Sequence, residues 1–129
     1  MFLTLRRPFV IVDVTIFIKD GSRVIGVGRA LTDFVSQSAI YNVAVDSAYQ
    51  GQHVGHTIIT LLLEKLKGTN IILYTHPQTL TLYEKYGFRR NKTAFSHFSH
   101  GSEEELKWME DEGFFLPEGY RFESEIGRY

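Results

Sequence analysis

The sequence contains no cysteine, only three prolines and no long apolar run. Without cysteine there are no disulfides, no thiolate metal ligands, no iron–sulfur cluster and no protein thiol nucleophile. Such a chain fits a reducing compartment, and a cytoplasmic setting is expected. No stretch approaches the ~20 apolar residues that span a bilayer, so no membrane partner is expected. Residues 1–8 include Arg6 and Arg7 but lack the signal-peptide order of charge, apolar stretch and small-residue cleavage site. Excess charge is also missing, with a formal net of −1.

What remains is a globular composition. The 129 residues are 43% hydrophobic and 14% aromatic, enough to build a core and too apolar for disorder. The length predicts a single domain over residues 1–129. The neutral charge total hides a division. Residues 1–100 hold eleven Lys/Arg and six Asp/Glu, a net of +5, whereas residues 101–129 hold three and nine, a net of −6. A mildly basic body thus carries an acidic C-terminal tail, which is either solvated charge on separate faces or a cue to association. The basic excess is small and lacks an Arg/Lys-rich helix or stacking motif, so nucleic acid is not an expected partner.

Residues 9–19 are dense in β-branched and aromatic side chains and predict a strand. Asp20-Gly21-Ser22 predicts a turn, and residues 23–32 the returning strand. Gly26 and Gly28 in that strand signal a bulge or a close backbone approach. Residues 33–38 read as a polar connection. Residues 39–45 read as a strand, central because it is so apolar. The period then changes. Val54, Ile58, Leu61, Leu62 and Leu66 recur at helical spacing, so residues 53–67 form an amphipathic helix with Gly68 as its stop. Residues 71–75 predict a short buried strand. Residues 77–86 suit a helix with Pro at its start and Gly87 at its end. Residues 88–98 read as a strand interrupted at Asn91-Lys92. Ser102 with Glu105 has capping-box spacing and predicts a helix to Glu112, with Gly113 beyond it. Residues 120–126 alternate weakly as a last strand. The order predicts one mixed α/β sheet.

The chemistry concentrates where a buried strand runs into Gln50-Gly51-Gln52-His53-Val54-Gly55 and a helix begins at once. Free backbone N–H groups and the helix dipole make such a turn an anion site suited to phosphate. The bland alternative is an ordinary βα turn. It is not a P-loop, because no Gly-Lys-Ser/Thr follows. It is not a dinucleotide fingerprint, because the third glycine and the distal acidic residue are missing.

This segment resembles motif A of the GNAT N-acetyltransferase superfamily, Q/R-x-x-G-x-G/A. Leu82-Tyr83-Glu84-Lys85-Tyr86-Gly87-Phe88 is similar to motif B of the same family, in the family's order. Gly26-Val27-Gly28-Arg29 resembles the strand before motif A, and the likeness runs over roughly residues 10–98. It places motif A at about 43–67 and motif B at about 77–90. It implies an acyl-CoA N-acyltransferase fold with splayed central strands, shortened at its N-terminus. It also implies acetyl-CoA as cosubstrate, no metal, an amine acceptor and direct transfer in a ternary complex. The absence of cysteine removes a cysteinyl acetyl-enzyme. The backbone of Val43, Ala44 and Val45 would then pair with the pantetheine arm, and one N–H would polarise the thioester carbonyl. Gln50, Gly51, Gln52, His53, Val54, Gly55, His56 and Thr57 would cradle the pyrophosphate. Tyr83 would be the general acid: a phenol of pKa ~10 can reprotonate a thiolate whose parent thiol has pKa ~8.5. The other reading of Tyr83 is a core aromatic. Lys85, Arg89 and Arg90 are either ligands of the 3′-phosphate or solvated cations. The family often forms homodimers.

Three departures stand out. His53 occupies the first patterned glycine. Thr75-His76-Pro77 stands where the family has an Asn or a similar polar residue. The strand and one or two helices that usually precede the hairpin have no counterpart before Phe9. Either the member is truncated or the aromatic tail around Phe114 and Phe115 replaces the missing wall. Asp33, Asn42 and Asp46 are candidate bases. For Asp46 the alternative is a turn cap, and for Asp33 a pair with Arg29. His97 and His100 lack a clear third partner for a metal. A catalytically weak acyl-CoA sensor and an interaction domain without CoA are the alternatives to an enzyme.

Overall fold

Strand β1 (Val12–Asp20) alternates aliphatic with mostly polar residues, and its burial alternates with them. Val12, Val14, Ile16 and Ile18 are half-buried, while Asp13, Thr15, Phe17 and Lys19 are exposed. A period of two is what a sheet with one covered face imposes. Gly21-Ser22 turns the chain into β2 (Arg23–Thr32), antiparallel to β1 with Asp20 opposite Arg23. β3 (Gln37–Val45) runs antiparallel to β2, and β4 (Asn70–Leu73) runs parallel to β3. The sheet order is β1-β2-β3-β4, which makes β3 central. This computed structural model describes residues 10–125. The expectations for residues 1–8, for Phe9 and for Ile126 lie outside them.

Helix α1 (Val54–Lys65) covers the inner face and buries Ile58, Ile59 and Leu62, with Leu66 at its C-cap. Burying each such side chain contributes about 1.5–3 kcal/mol. The two β2 glycines let the helix come this close. A Cβ on Gly28 would stand 2.3 Å from Ile58 Cγ2, and one on Gly26 would stand 2.9 Å from Val54 Cγ1. The strand glycines therefore mark a close approach.

The central strands part. Ala30 faces Ile40 and Arg29 faces Asn42, so Tyr41 is an extra residue in β3. The parallel ladder with β4 covers only Gln37 to Ile40. A bulge bends the strand that carries it. Among the described residues no strand pairs with residues 41–45 on that side.

The chain divides into two compact units, Met1–Tyr74 and Thr75–Tyr129. In the second, a 3₁₀ turn (Pro77–Thr79) leads into α2 (Leu80–Glu84), and α3 (Glu103–Asp111) follows later. Ser102 caps α3, its Oγ accepting from the Glu105 N–H at 3.2 Å. Phe114 packs edge-on to His76 at 5.1 Å and near Trp108 at 6.0 Å. Several expectations need correction. The helix over 77–86 is split into a 3₁₀ turn and five α-helical residues. β4 is shorter than expected and only half-covered, with Ile72 56% exposed. Residues 88–98 form no strand: residues 89–100 are all exposed, so alternation has no face to bury. Residues 120–125 hold a 3₁₀ turn (Glu123–Glu125) in place of the last strand. Among the described residues no helix is long and apolar enough to cross a membrane.

Candidate functional site

The end of β3 is built from backbone. The Asp46 N–H donates to Ile25 O at 2.8 Å, which fixes the direction of the amides between it and the bulge at Tyr41. Alternation turns the Ala44 N–H toward β2 and leaves those of Val43 and Val45 pointing to the open edge. Val45 O accepts from Gln50 Nε2 at 3.3 Å, so the loop folds back on that edge. Val43, Ala44 and Val45 are thus unequal: two present their backbone outward and one is spent on the sheet.

A 3₁₀ turn (Ser47–Tyr49) follows, capped by Asp46, whose Oδ1 accepts from the Ala48 N–H at 2.9 Å. Gly51 then takes φ +82°, and His53 takes φ +63° and ψ +17°. His53 therefore holds the left-handed conformation that the glycine of the pattern would supply. This region costs a residue with a Cβ about 1–2 kcal/mol, though histidine is among the side chains enriched there. Its ring makes no cap. The first intrahelical bond runs from the Thr57 N–H to His53 O, at 3.0 Å. The Val54 and Gly55 N–H groups precede it, with no intrahelical acceptor to reach. Thr57 Oγ1 also donates to His53 O, at 3.1 Å. Gln52 and His56 are exposed beside this turn, and the His56 ring lies edge-on to His53 at 6.4 Å. The predicted stretch from Val43 to Thr57 is therefore continuous, running from strand edge through loop to helix start.

The candidate bases are committed elsewhere. Asp33 Oδ1 accepts from the Val35, Ser36 and Gln37 N–H groups at 2.8, 2.8 and 3.0 Å. Those backbone donors hold its carboxyl down to about 2. Its expected partner Arg29 pairs instead with Asp13, at 2.9 Å, because the two lie on adjacent strands of the same exposed face. Asp46 is held below the ordinary carboxylate range by the Ala48 N–H and then by Arg23. Asn42 is exposed on β3. Neither carboxylate suits proton abstraction near neutral pH.

In the second unit, Tyr83 is half-buried on α2, with its ring edge-on to Phe88 at 5.8 Å. Burial pushes its hydroxyl above the ordinary 10, while a hydrogen bond with Thr75 pulls the other way. Thr75 also bonds the Thr79 hydroxyl at the start of the motif. A phenol in this state stays protonated at neutral pH and keeps a proton to donate. Arg90 is tied to Glu84 at 2.6 Å, which favours the structural reading for it. Among the described residues no three His, Asp or Glu gather as a metal site. In the first unit, the β1–β2 turn residues Asp20 and Arg23, which reach Tyr49 and Asp46 before the 50–55 loop, carry no signal in sequence spacing. Their partners lie 29 and 23 residues away.

Residues 12–90 match the acetyltransferase (GNAT) domain family. A histone acetyltransferase (TAP1) of Glycine max is 36% identical over 69 residues, covering 51% of this chain and 30% of that protein. N-alpha-acetyltransferase 30 of Dictyostelium discoideum is 33% identical over 67 residues, covering 47% and 36%. The chain thus spans about a third of the length of these relatives. A GNAT-family acetyltransferase structure from Streptococcus pneumoniae shares the fold at TM-score 0.59 and 21% identity, covering 69% of this chain and 71% of that one. On this match to the family over residues 12–90, with the shared fold, the chain belongs to the GNAT acetyltransferase family.

Proposed function

We propose that this chain is one N-acetyltransferase domain that moves acetyl from acetyl-CoA to a primary amine by direct transfer. The observation that carries the reading is the run of outward backbone groups. Val43 and Val45 offer an open strand edge, and Gly51 and His53 turn the chain so that uncapped amides of α1 follow within a few residues. Pantetheine is an amide chain that pairs with a strand edge, and a pyrophosphate suits a helix N-terminus. These residues therefore fit the cosubstrate, which when bound supplies an acetyl group activated as a thioester. The chain's part is to bind and orient it. Gln50, Gly51, Gln52, His53, Val54, Gly55, His56 and Thr57 hold the phosphates, and an outward N–H of β3 faces the carbonyl, where negative charge develops. Tyr83 gives its proton toward the leaving sulfur, in keeping with a raised hydroxyl.

The acceptor class spans polyamines, aminoglycosides, amino acids, arylalkylamines and protein amines. One relative is named for a histone, so a lysine-containing peptide heads the panel. A second reading, an acyl-CoA sensor with little turnover, is favoured by one observation: Asp33 and Asp46 are both engaged in turns and held low. Acetyl-CoA calorimetry followed by thiol-release assays across the amine panel separates the two. Binding with turnover is expected. Binding without turnover on any amine selects the sensor, and no binding removes both. Tyr83→Phe is expected to lower kcat by about 10²–10⁴-fold while leaving acetyl-CoA affinity within a factor of two. Unchanged turnover would take the acid role from Tyr83.

A further inference from the structure

The loop assigned to the phosphates is anchored on a turn far from it in sequence. Tyr49 OH donates to Asp20 Oδ2 at 2.5 Å. Arg23 Nη2 donates to Asp46 Oδ2 at 2.8 Å, and its guanidinium lies 5.8 Å from the centre of the Tyr49 ring. Asp20 and Arg23 flank the β1–β2 turn, while Asp46 and Tyr49 are the N-cap and the last residue of the 3₁₀ turn before Gln50. The Asp46 N–H bond to Ile25 O adds a backbone tie at the same place. Both ends of the turn that feeds the loop are therefore held by the β1–β2 hairpin.

We propose that Asp20, Arg23 and Tyr49 are positioning residues that preset the 50–55 loop for an acyl-CoA, without touching it. The inference rests on the acyl-CoA reading above. An exposed ion pair alone contributes little. Here an ion pair, a phenol–carboxylate hydrogen bond and a cation–π contact converge on one three-residue turn, so their effects join in one geometry. A loop ordered before binding avoids the entropy loss of being ordered by the ligand. The positive φ at Gly51 and His53 lies directly downstream, where a small drift of the turn would re-aim the helix amides.

The test uses the full chain with Tyr49→Phe, Arg23→Met and Arg23→Lys. Tyr49→Phe keeps the ring and removes only the hydroxyl, so it is the variant least able to disturb folding. Acetyl-CoA Kd, kcat at saturation, melting temperature and amide exchange of residues 50–55 without ligand are measured for each. The expected result is a Kd raised about threefold to tenfold for Tyr49→Phe and Arg23→Met, faster exchange in the loop and unchanged kcat. Arg23→Lys, which keeps the charge, recovers part of the affinity. A lower melting temperature with unchanged Kd and unchanged loop exchange overturns the proposal and leaves a plain structural tie. If the wild type itself does not bind acetyl-CoA, the acyl-CoA reading fails and this one falls with it. That outcome is distinguishable because the unmutated chain is silent.

Discussion

Asp33 illustrates how one side chain can look catalytic in sequence and prove structural. Its carboxylate collects three backbone N–H groups at the turn into β3, and those donors hold it near 2 against an ordinary 3.8. The sign follows from linkage. The folded form binds the proton less readily than the unfolded one, so Asp33 stabilises the fold above about pH 4. That contribution fades as pH falls toward about 2. Urea unfolding across this window is expected to show a shallower pH dependence for Asp33→Asn than for the wild type. A parallel pair of curves would remove Asp33 from acid stability. His53 makes the converse point. A departure from the family's glycine at the level of residue type is no departure of the backbone, which takes φ +63° with a side chain in place.

At the scale of elements, the first unit is more legible than the second, where only α3 follows its sequence signal, the Ser102 cap. β1, β2, β3 and α1 follow from a switch of period, two to 3.6, because each has one buried face to write that period into the sequence. The sequence signals coincide with both ends of β2 and fall within two residues of each end of α1. Residues 89–100 are wholly exposed, so their apolar content, Phe95 and Phe98 included, followed no period and invited a strand that does not form. Motif residues were legible because they are contiguous. The tie from Asp20 and Arg23 to Tyr49 and Asp46 was not, because nothing local links residues so far apart. The glycines of β2 give the element-scale test. Gly28→Ala places a Cβ 2.3 Å from Ile58 and 3.0 Å from Leu62 and is expected to cost about 1–3 kcal/mol in urea unfolding. Gly55→Ala meets only Val45 Cγ2, at 3.7 Å, and is expected to leave stability unchanged or slightly raised. Equal effects at the two positions would mean that β2 and α1 do not depend on the missing Cβ.

At the scale of the whole chain, the division of charge becomes finer. Residues 1–74 carry seven basic and five acidic groups, a net of +2, and residues 75–129 carry seven and ten, a net of −3. The basic excess of the body thus includes Lys85, Arg89, Arg90 and Lys92, which share a compact unit with the acidic tail. The step in charge at residue 100 therefore falls inside the second unit. Within that unit the ion pairs of Arg90 with Glu84 and of Lys107 with Asp111 are local.

Tyr41 has no register partner on β2, while Arg29 faces Asn42 and Ala30 faces Ile40. Before it the even-numbered Ser38 and Ile40 are buried, and beyond it the odd-numbered Val43 and Val45 are the covered valines. The extra residue is a shift of phase within the strand. Deleting it leaves every other β2–β3 pair with its present partner and every side chain on its present face. What the deletion removes is the bend. A chain without Tyr41 is expected to unfold in a single cooperative transition, while β3 runs on beside β4 and the acetyl-CoA binding proposed above is lost. A deletion that folds and still binds would show that the edge opens without the bulge. One unpaired residue thus separates two properties of the same sheet: that it folds, and that it stays open along one strand.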